Sequence, residues 1–153
     1  MIRSMLGIAA LAAMLLTAPL AQAQTVDVAK LERNKKIVTD FYNAALNEKD
    51  FDKASQYLGD KYIQHNPVAA DGPEGLKAFI GFLRAKFPNN KSEIKRIFAD
   101  GDHVIVHVHA MREPGTRGFA IIDIFRLEGD KVVEHWDAVQ PVPEKAANDN
   151  GMF

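Results

Sequence analysis

The chain contains no cysteine, so no disulfide framework supports it, no thiolate nucleophile is available, and stability has to come from a packed core. It also lacks an excess of either charge, with 19 Lys and Arg against 20 Asp and Glu for a formal net charge of -1. That balance leaves no basic stripe, which argues against nucleic acid as a partner. Neither a P-loop nor a G-x-G-x-x-G is present, so the glycine-rich backbone cradles that hold phosphates are missing. A G-x-S-x-G elbow is absent too, and nucleophilic catalysis has little to stand on. No internal repeat occurs.

What is present begins with an apolar run at the start. Arg3 supplies a positive flank, Met5 to Leu16 an apolar stretch, and Ala21-Gln22-Ala23 a small-residue cleavage pattern, which together read as a signal peptide over residues 1–23. The stretch is about a dozen residues, short of the ~20 that a spanning helix needs. Cutting before Gln24 is expected to yield a periplasmic or secreted protein with no membrane attachment. About 130 residues then remain, enough for one domain and one core. We expect the domain over residues 24–140 and a flexible tail over 141–153, where Pro, Lys, Ala and Asn dominate.

The spacing predicts a helix from about Asp27 to Asn47, with Val28, Leu31, Val38, Phe41, Tyr42 and Ala45 near one stripe. A short helix is expected over Phe51 to Leu58, capped by Asp50 and stopped by Gly59. The segment Lys61 to Pro67 reads as an extended connector, and a third helix follows from Pro73, a good first-turn residue. From Lys91 the period changes to two. Four strands fit, about Ser92–Ala99, His103–Met111, Arg117–Leu127 and Lys131–Val139, separated by Asp100-Gly101, Pro114-Gly115 and Gly129-Asp130. Three helices and then four antiparallel strands make an α+β plan in which the helices cover one face of the sheet. A sheet curled around them would enclose a pocket.

The stretch Phe119 to Gln140 carries the chemistry. Alternation puts Phe119, Ile121, Asp123, Phe125 and Leu127 on one side of the first strand, and Val133, His135, Asp137 and Val139 on one side of the second. Asp123 is a carboxylate among aliphatic and aromatic neighbours, costly to bury without a partner or a purpose. In the preceding strand His103, Ile105, His107, His109 and Met111 share one face, and Val104, Val106, Val108 and Ala110 the other. If the mixed face is inside, His107, His109, Asp123, His135 and Asp137 all point inward with His65 and Asn66 near the rim. The opposite assignment sends the histidines to water and the valines to the core, and periodicity alone does not choose.

Three chemistries suit such a set. An Asp of raised pKa acts as general base while a His donates to a developing oxyanion, the division of labour for proton abstraction beside a carbonyl. A metal site on His107-x-His109 with His135 and a carboxylate is the second. Fixed Asp–His hydrogen bonds shaping a cavity that binds without reacting are the third.

The segments Tyr62-Ile63-Gln64-His65-Asn66-Pro67, Gly72-Pro73-Glu74-Gly75, Asp123-Ile124-Phe125-Arg126 and Gly129-Asp130-Lys131-Val132-Val133-Glu134-His135-Trp136-Asp137 together resemble the SnoaL-like group of the NTF2-like superfamily. The resemblance runs from about Lys30 to Gln140. It implies a cone-shaped α+β barrel, a curved antiparallel sheet of about four strands around three N-terminal helices, commonly dimeric through the outer sheet face. In the polyketide cyclases of that group, ring closure is an intramolecular aldol condensation needing no metal, with an Asp as acid/base and a His beside it. Carried over, Asp123 is the general base and His107 or His109 its partner; beside that, we expect Tyr62, His65, Asn66, Phe125, His135 and Asp137 to bind or orient the ligand. The expected ligand is a small apolar carbonyl compound, the expected cofactor none, and the expected partner a second copy packed on Trp136 and the Val104, Val106, Val108 face. Other members of the superfamily are isomerases, dehydratases, hydrolases or binders, so the fold alone does not settle the reaction.

Overall fold

The computed structural model describes residues 26–153; the expected signal peptide lies outside the described residues. Helix α1 spans Val28–Tyr42, and Asp27 caps it by accepting from the Lys30 amide at 2.9 Å. Its stripe buries Val38, Phe41 and Tyr42, while Val28, expected on that stripe, is 64% exposed. The helix does not stop there. It continues as a π-helical turn, Asn43–Asn47, which keeps Ala44 and Ala45 buried and closes on Lys49, whose φ is 55°. The guanidinium of Arg84 donates to the Lys49 carbonyl, and the Lys49 ammonium donates to the Asn47 and Pro88 carbonyls. These bonds hold a backbone conformation that side-chain-bearing residues seldom adopt.

Helix α2, Phe51–Ser55, is capped by Asp50 as expected but is shorter than its sequence pattern suggested. The chain leaves it to form a strand, β1, Leu58–Gln64, which pairs in parallel with the last strand. Gly59 therefore permits close approach instead of ending a helix: a Cβ there would meet Val133 Cγ1 at 2.7 Å. Helix α3, Gly72–Lys86, follows with Pro73 in its first turn and Leu76, Ile80 and Leu83 buried.

Strands β2 (Lys91–Asp100), β3 (His103–Met111), β4 (Phe119–Glu128) and β5 (Lys131–Pro141) form the expected antiparallel meander. With β1 added the sheet has five strands, one more than expected, in the order β1-β5-β4-β3-β2. It is curved and unclosed, and α1 and α3 lie in its concave side. Among the described residues no helix is long and apolar enough to cross a membrane.

The register settles which face is inside. Val106 stands opposite Asp123, and Asp123 opposite Asp137, so those three side chains share the concave face. Val104, Val106 and Val108 are 0% exposed, and burying each is worth ~1.5–3 kcal/mol. His107 stands opposite Ile122 and His109 opposite Ala120, on the convex face. The inward placement of His107 and His109 is thus overturned, and so is a partner interface on Val104, Val106 and Val108. Imidazoles inside would have sacrificed that apolar burial and needed new hydrogen-bond partners.

The convex face carries Ile105, His107, His109, Ile122, Ile124 and Trp136. The tail returns to it: the Phe153 ring stacks on His109 at 4.3 Å between centroids and on His107 at 5.4 Å. Val106→Asn should lower urea stability by at least about 2 kcal/mol, as an amide without a partner in an apolar core does. His107→Gln should change it by less than about 1 kcal/mol. Equal effects, or the reverse order, would show that the faces are assigned wrongly.

Candidate active site

Four elements place polar groups at one end of the apolar cup. Strand β4 contributes Ile121, Asp123 and Phe125, β5 contributes His135, Asp137 and Val139, and β1 with the loop beyond it contributes Tyr62, Gln64 and Asn66. Helix α1 adds Phe41 and Tyr42, and together they line a cavity of about 430 Å³. Its walls are largely apolar, the usual makeup of a small-molecule site. Phe125 meets Phe41 edge to face at 5.8 Å and stacks beneath His135 at 4.7 Å, which fixes the imidazole plane.

The centre of the site is a buried pair. Asp123 is 4% exposed and His135 8%, and Asp123 Oδ1 lies 3.0 Å from His135 Nε2. The location of hydrogens follows from the neighbours. The Asn66 backbone N–H, a donor only, meets Gln64 Oε1 at 2.8 Å, so the amide oxygen of Gln64 faces this way. His135 Nδ1 lies 3.0 Å from the same oxygen and must therefore donate its hydrogen to it. That leaves Nε2 and Oδ1 with one proton between them, carried either as an imidazolium beside a carboxylate or as a neutral carboxylic acid beside a neutral ring. Burial pushes the Asp123 carboxyl above its ordinary range, with His135 pulling the other way and the Asp137 charge pushing further up. Asp123 is placed to take and return a proton.

Among the described residues its second oxygen, Oδ2, is buried and makes no hydrogen bond of ordinary geometry, nor does the Tyr42 hydroxyl, although the phenol lies near enough to the carboxylate to interact with it. Tyr42 is close enough to Asp123 for the carboxylate charge, after burial itself, to hold the phenol in its neutral form. Tyr62 is held neutral by the same two causes, and its hydroxyl accepts from Gln64 Nε2 at 3.3 Å, leaving its own proton free to donate. Asp137 is fixed by Asn66 Nδ2, which donates to both carboxylate oxygens at 2.8 and 2.7 Å. The arrangement can move a proton at Asp123 while neutral hydroxyls receive negative charge on a ligand oxygen.

Of the residues selected from sequence, Asp123, His135, Asp137, Tyr62, Asn66 and Phe125 come together here. His107 and His109 do not. His107 Nδ1 accepts from the Arg96 guanidinium at 3.1 Å, and His109 Nε2 donates to the Arg117 carbonyl at 2.8 Å, both on the far side of the sheet. His65 also points away, pairing with Glu134 at 2.9 Å and stacking on Trp136 with ring centroids 4.7 Å apart. The partner of Asp123 is His135, not a histidine of β3. Gln64 and Tyr42 escaped the sequence reading. Had Tyr62 to Asn66 been taken as a strand, alternation would have set Tyr62, Gln64 and Asn66 on one face and Ile63 and His65 on the other. Tyr42 gave no comparable signal, being one more ring on a helix stripe.

A cation would also find its ligands here and not at His107-x-His109. Asp123, His135 and Asp137 each offer an atom within 4.8 Å of the others. It would have to replace the proton shared by Asp123 and His135 and compete with Asn66 for Asp137, so the present hydrogen bonding suits a proton better than a metal.

A helix-lined cone of sheet with a polar cluster at one end of its cavity defines the NTF2-like class of pocket proteins. Within it, a family model described as SnoaL-like domain matches residues 38–135, and the chain belongs to the SnoaL-like family. Among solved structures it is similar to an uncharacterized cystatin-fold protein from Novosphingobium aromaticivorans, at 25% identity and TM-score 0.61 over 69% of this chain and 97% of that one. A polyketide cyclase candidate from Acidithiobacillus ferrooxidans is similar at 24% identity and TM-score 0.60 over 70% and 87% of the two chains. An LEH-like epoxide hydrolase from M. tuberculosis shares 21% identity at TM-score 0.60 over 72% and 85%. No curated protein matches.

The raised Asp123 pKa has a consequence for stability. In the unfolded chain the group titrates near ~3.9; in the native state it ionises at higher pH, so its favourable contribution is complete in acid and is lost as pH rises through the native value. Asn in its place keeps a donor for His135 Nε2 and removes that loss. Asp123→Asn should therefore gain on the wild type in urea midpoint between pH 4 and pH 7, and a variant that falls further behind with rising pH would contradict a buried acid.

Proposed function

We propose that this protein is an exported small-molecule enzyme that performs acid/base chemistry on an apolar carbonyl compound, of aldol-condensation or isomerase type. The observation that carries the reading is the 3.0 Å contact of Asp123 Oδ1 with His135 Nε2, with the buried Asp123 Oδ2 and Tyr42 hydroxyl beside it. A substrate carbonyl oxygen accepting from Tyr42 would bring its α-carbon to the carboxylate. The C–H bond breaks, its proton goes to Asp123 Oδ2, and the electron pair moves onto the carbonyl oxygen as an enolate held by the tyrosine hydroxyls. In a condensation the enolate carbon then attacks a second carbonyl, a C–C bond forms, and the new alkoxide takes the proton back from Asp123. In an isomerisation the proton returns to a different carbon. Both routes balance without a metal or a redox partner. His135 remains beside Oδ1, where its proton stabilises whichever carboxylate form is present.

Membership of the SnoaL-like family supports this reading at the level of a small-molecule pocket. The rival is a binder that uses the same pocket without turnover.

Exchange of α-protons for deuterium in 2-tetralone, followed by NMR, separates the two. The wild type should exchange above the buffer rate, Asp123→Asn should lose about 10²-fold or more of that excess, and Tyr42→Phe about 10-fold or more. A wild type no faster than buffer, or an Asp123→Asn variant that keeps its rate, would remove the acid/base reading.

A further inference from the structure

The cavity is electrically uneven along its length. One end holds Asp123 and Asp137, and among the described residues Arg112 is the only Lys or Arg that lines the wall. Arg112 follows the end of β3, six residues beyond Val106, the cross-strand neighbour of Asp123. At ~3.4 Å per residue that separation is on the order of 20 Å along the strand. The guanidinium carbon lies 5.4 Å from the centre of the Phe87 ring and 5.8 Å from that of Phe119. Two rings therefore hold it in position, and such contacts leave the N–H edge free.

Among the described residues Arg112 has no carboxylate within ion-pair distance and no side-chain hydrogen bond, as is also true of the exposed Arg117, whereas Arg33, Arg84, Arg96 and Arg126 all have acceptors. A solvated arginine at a rim needs no further account. This one lines an apolar cavity and is positioned by aromatic rings, where a charge acts more strongly than in open water. A planar fork of donors in that setting matches a carboxylate. The opposite end repels one, because Asp137 and Asp123 already concentrate negative charge there.

The geometry points to Arg112 as the subsite for a carboxylate at the distal end of an elongated substrate, whose carbonyl lies at Asp123 and Tyr42. The substrate class is thus an apolar oxo-acid long enough to reach from the polar end of the cavity to that guanidinium. This assignment deepens the acid/base reading and rests on it for the location of the carbonyl. The polarity of the cavity orients the ligand: reversed binding would put its anion against two carboxylates and leave the guanidinium facing a ketone.

The test uses 9-oxodecanoate and its methyl ester as probes, with affinities from calorimetry on the wild type, Arg112→Gln and Arg112→Lys. The wild type should prefer the acid by about 10-fold or more, a charged hydrogen-bonded pair against a neutral one. The preference should fall to within about 2-fold in Arg112→Gln, survive in part in Arg112→Lys, and weaken as salt is raised from low to high. Equal binding of acid and ester by the wild type, binding of neither, or a preference that survives in Arg112→Gln overturns the assignment. Binding is read without turnover, so its failure is distinct from failure of the acid/base reading. Acid preference with no α-proton exchange in 2-tetralone would keep the subsite and remove the catalysis; exchange with no acid preference would do the reverse.

Discussion

One extra residue in β5 decides what the cavity contains. At the β4–β5 turn Glu128 pairs with Lys131 and Leu127 with Val132, but Arg126 pairs with Glu134, so Val133 is bulged out of the ladder. Counting back from the turn without the bulge would put Asp123 opposite Trp136. With it, Asp123 stands opposite Asp137, and Phe125 opposite His135. A slip of one residue exchanges the two faces of a strand. The bulge is what brings His135 and Asp137 to the concave side beside Asp123, and it leaves both Val132 and Val133 buried. Every contact of the proton-sharing pair depends on that offset.

The polar cluster is arranged against the ordinary interest of a core. Among the described residues Asp123 Oδ2 and the Tyr42 hydroxyl are buried without a hydrogen bond of ordinary geometry, and a polar group left fully unsatisfied in a core costs ~1–3 kcal/mol. The surrounding aliphatic contacts offset this: Val38, Ile80, Leu127 and Val132 are all sealed from solvent. A binding pocket without chemistry could have used Asn or Thr in place of the acid with less penalty.

Much of the fold was legible from period and turn chemistry. The change from a helical stripe to alternation at Lys91, and the turns at Asp100-Gly101 and Gly129-Asp130, placed four strands close to their observed limits. Asp123 stood out because a carboxylate amid Ile121 and Phe125 contradicts its own neighbours. The face of β3 was not legible. Arg112 to Gly118 is a long, irregular link whose length gives no register between β3 and β4, and two adjacent imidazoles on one strand attract a functional reading. β1 was missed for another reason. It is short, carries Gly59-Asp60-Lys61 at its start and shows no clean alternation in burial, so only its pairing with β5 reveals it.

The sheet is open, and its two margins are unlike its faces. On the β2 side the exposed Lys91, Glu93, Lys95 and Arg96 crowd the outermost strand with charge. On the other margin Asp60 and Lys61 are exposed, and the free Gln64 amide is already taken by the Asp71 carboxylate at 2.8 Å. Charges and local capping of this sort deter strand-by-strand extension into fibrils. The convex surface is different in kind: there the chain's own last aromatic ring lies over the imidazoles of β3 and covers part of an otherwise open face.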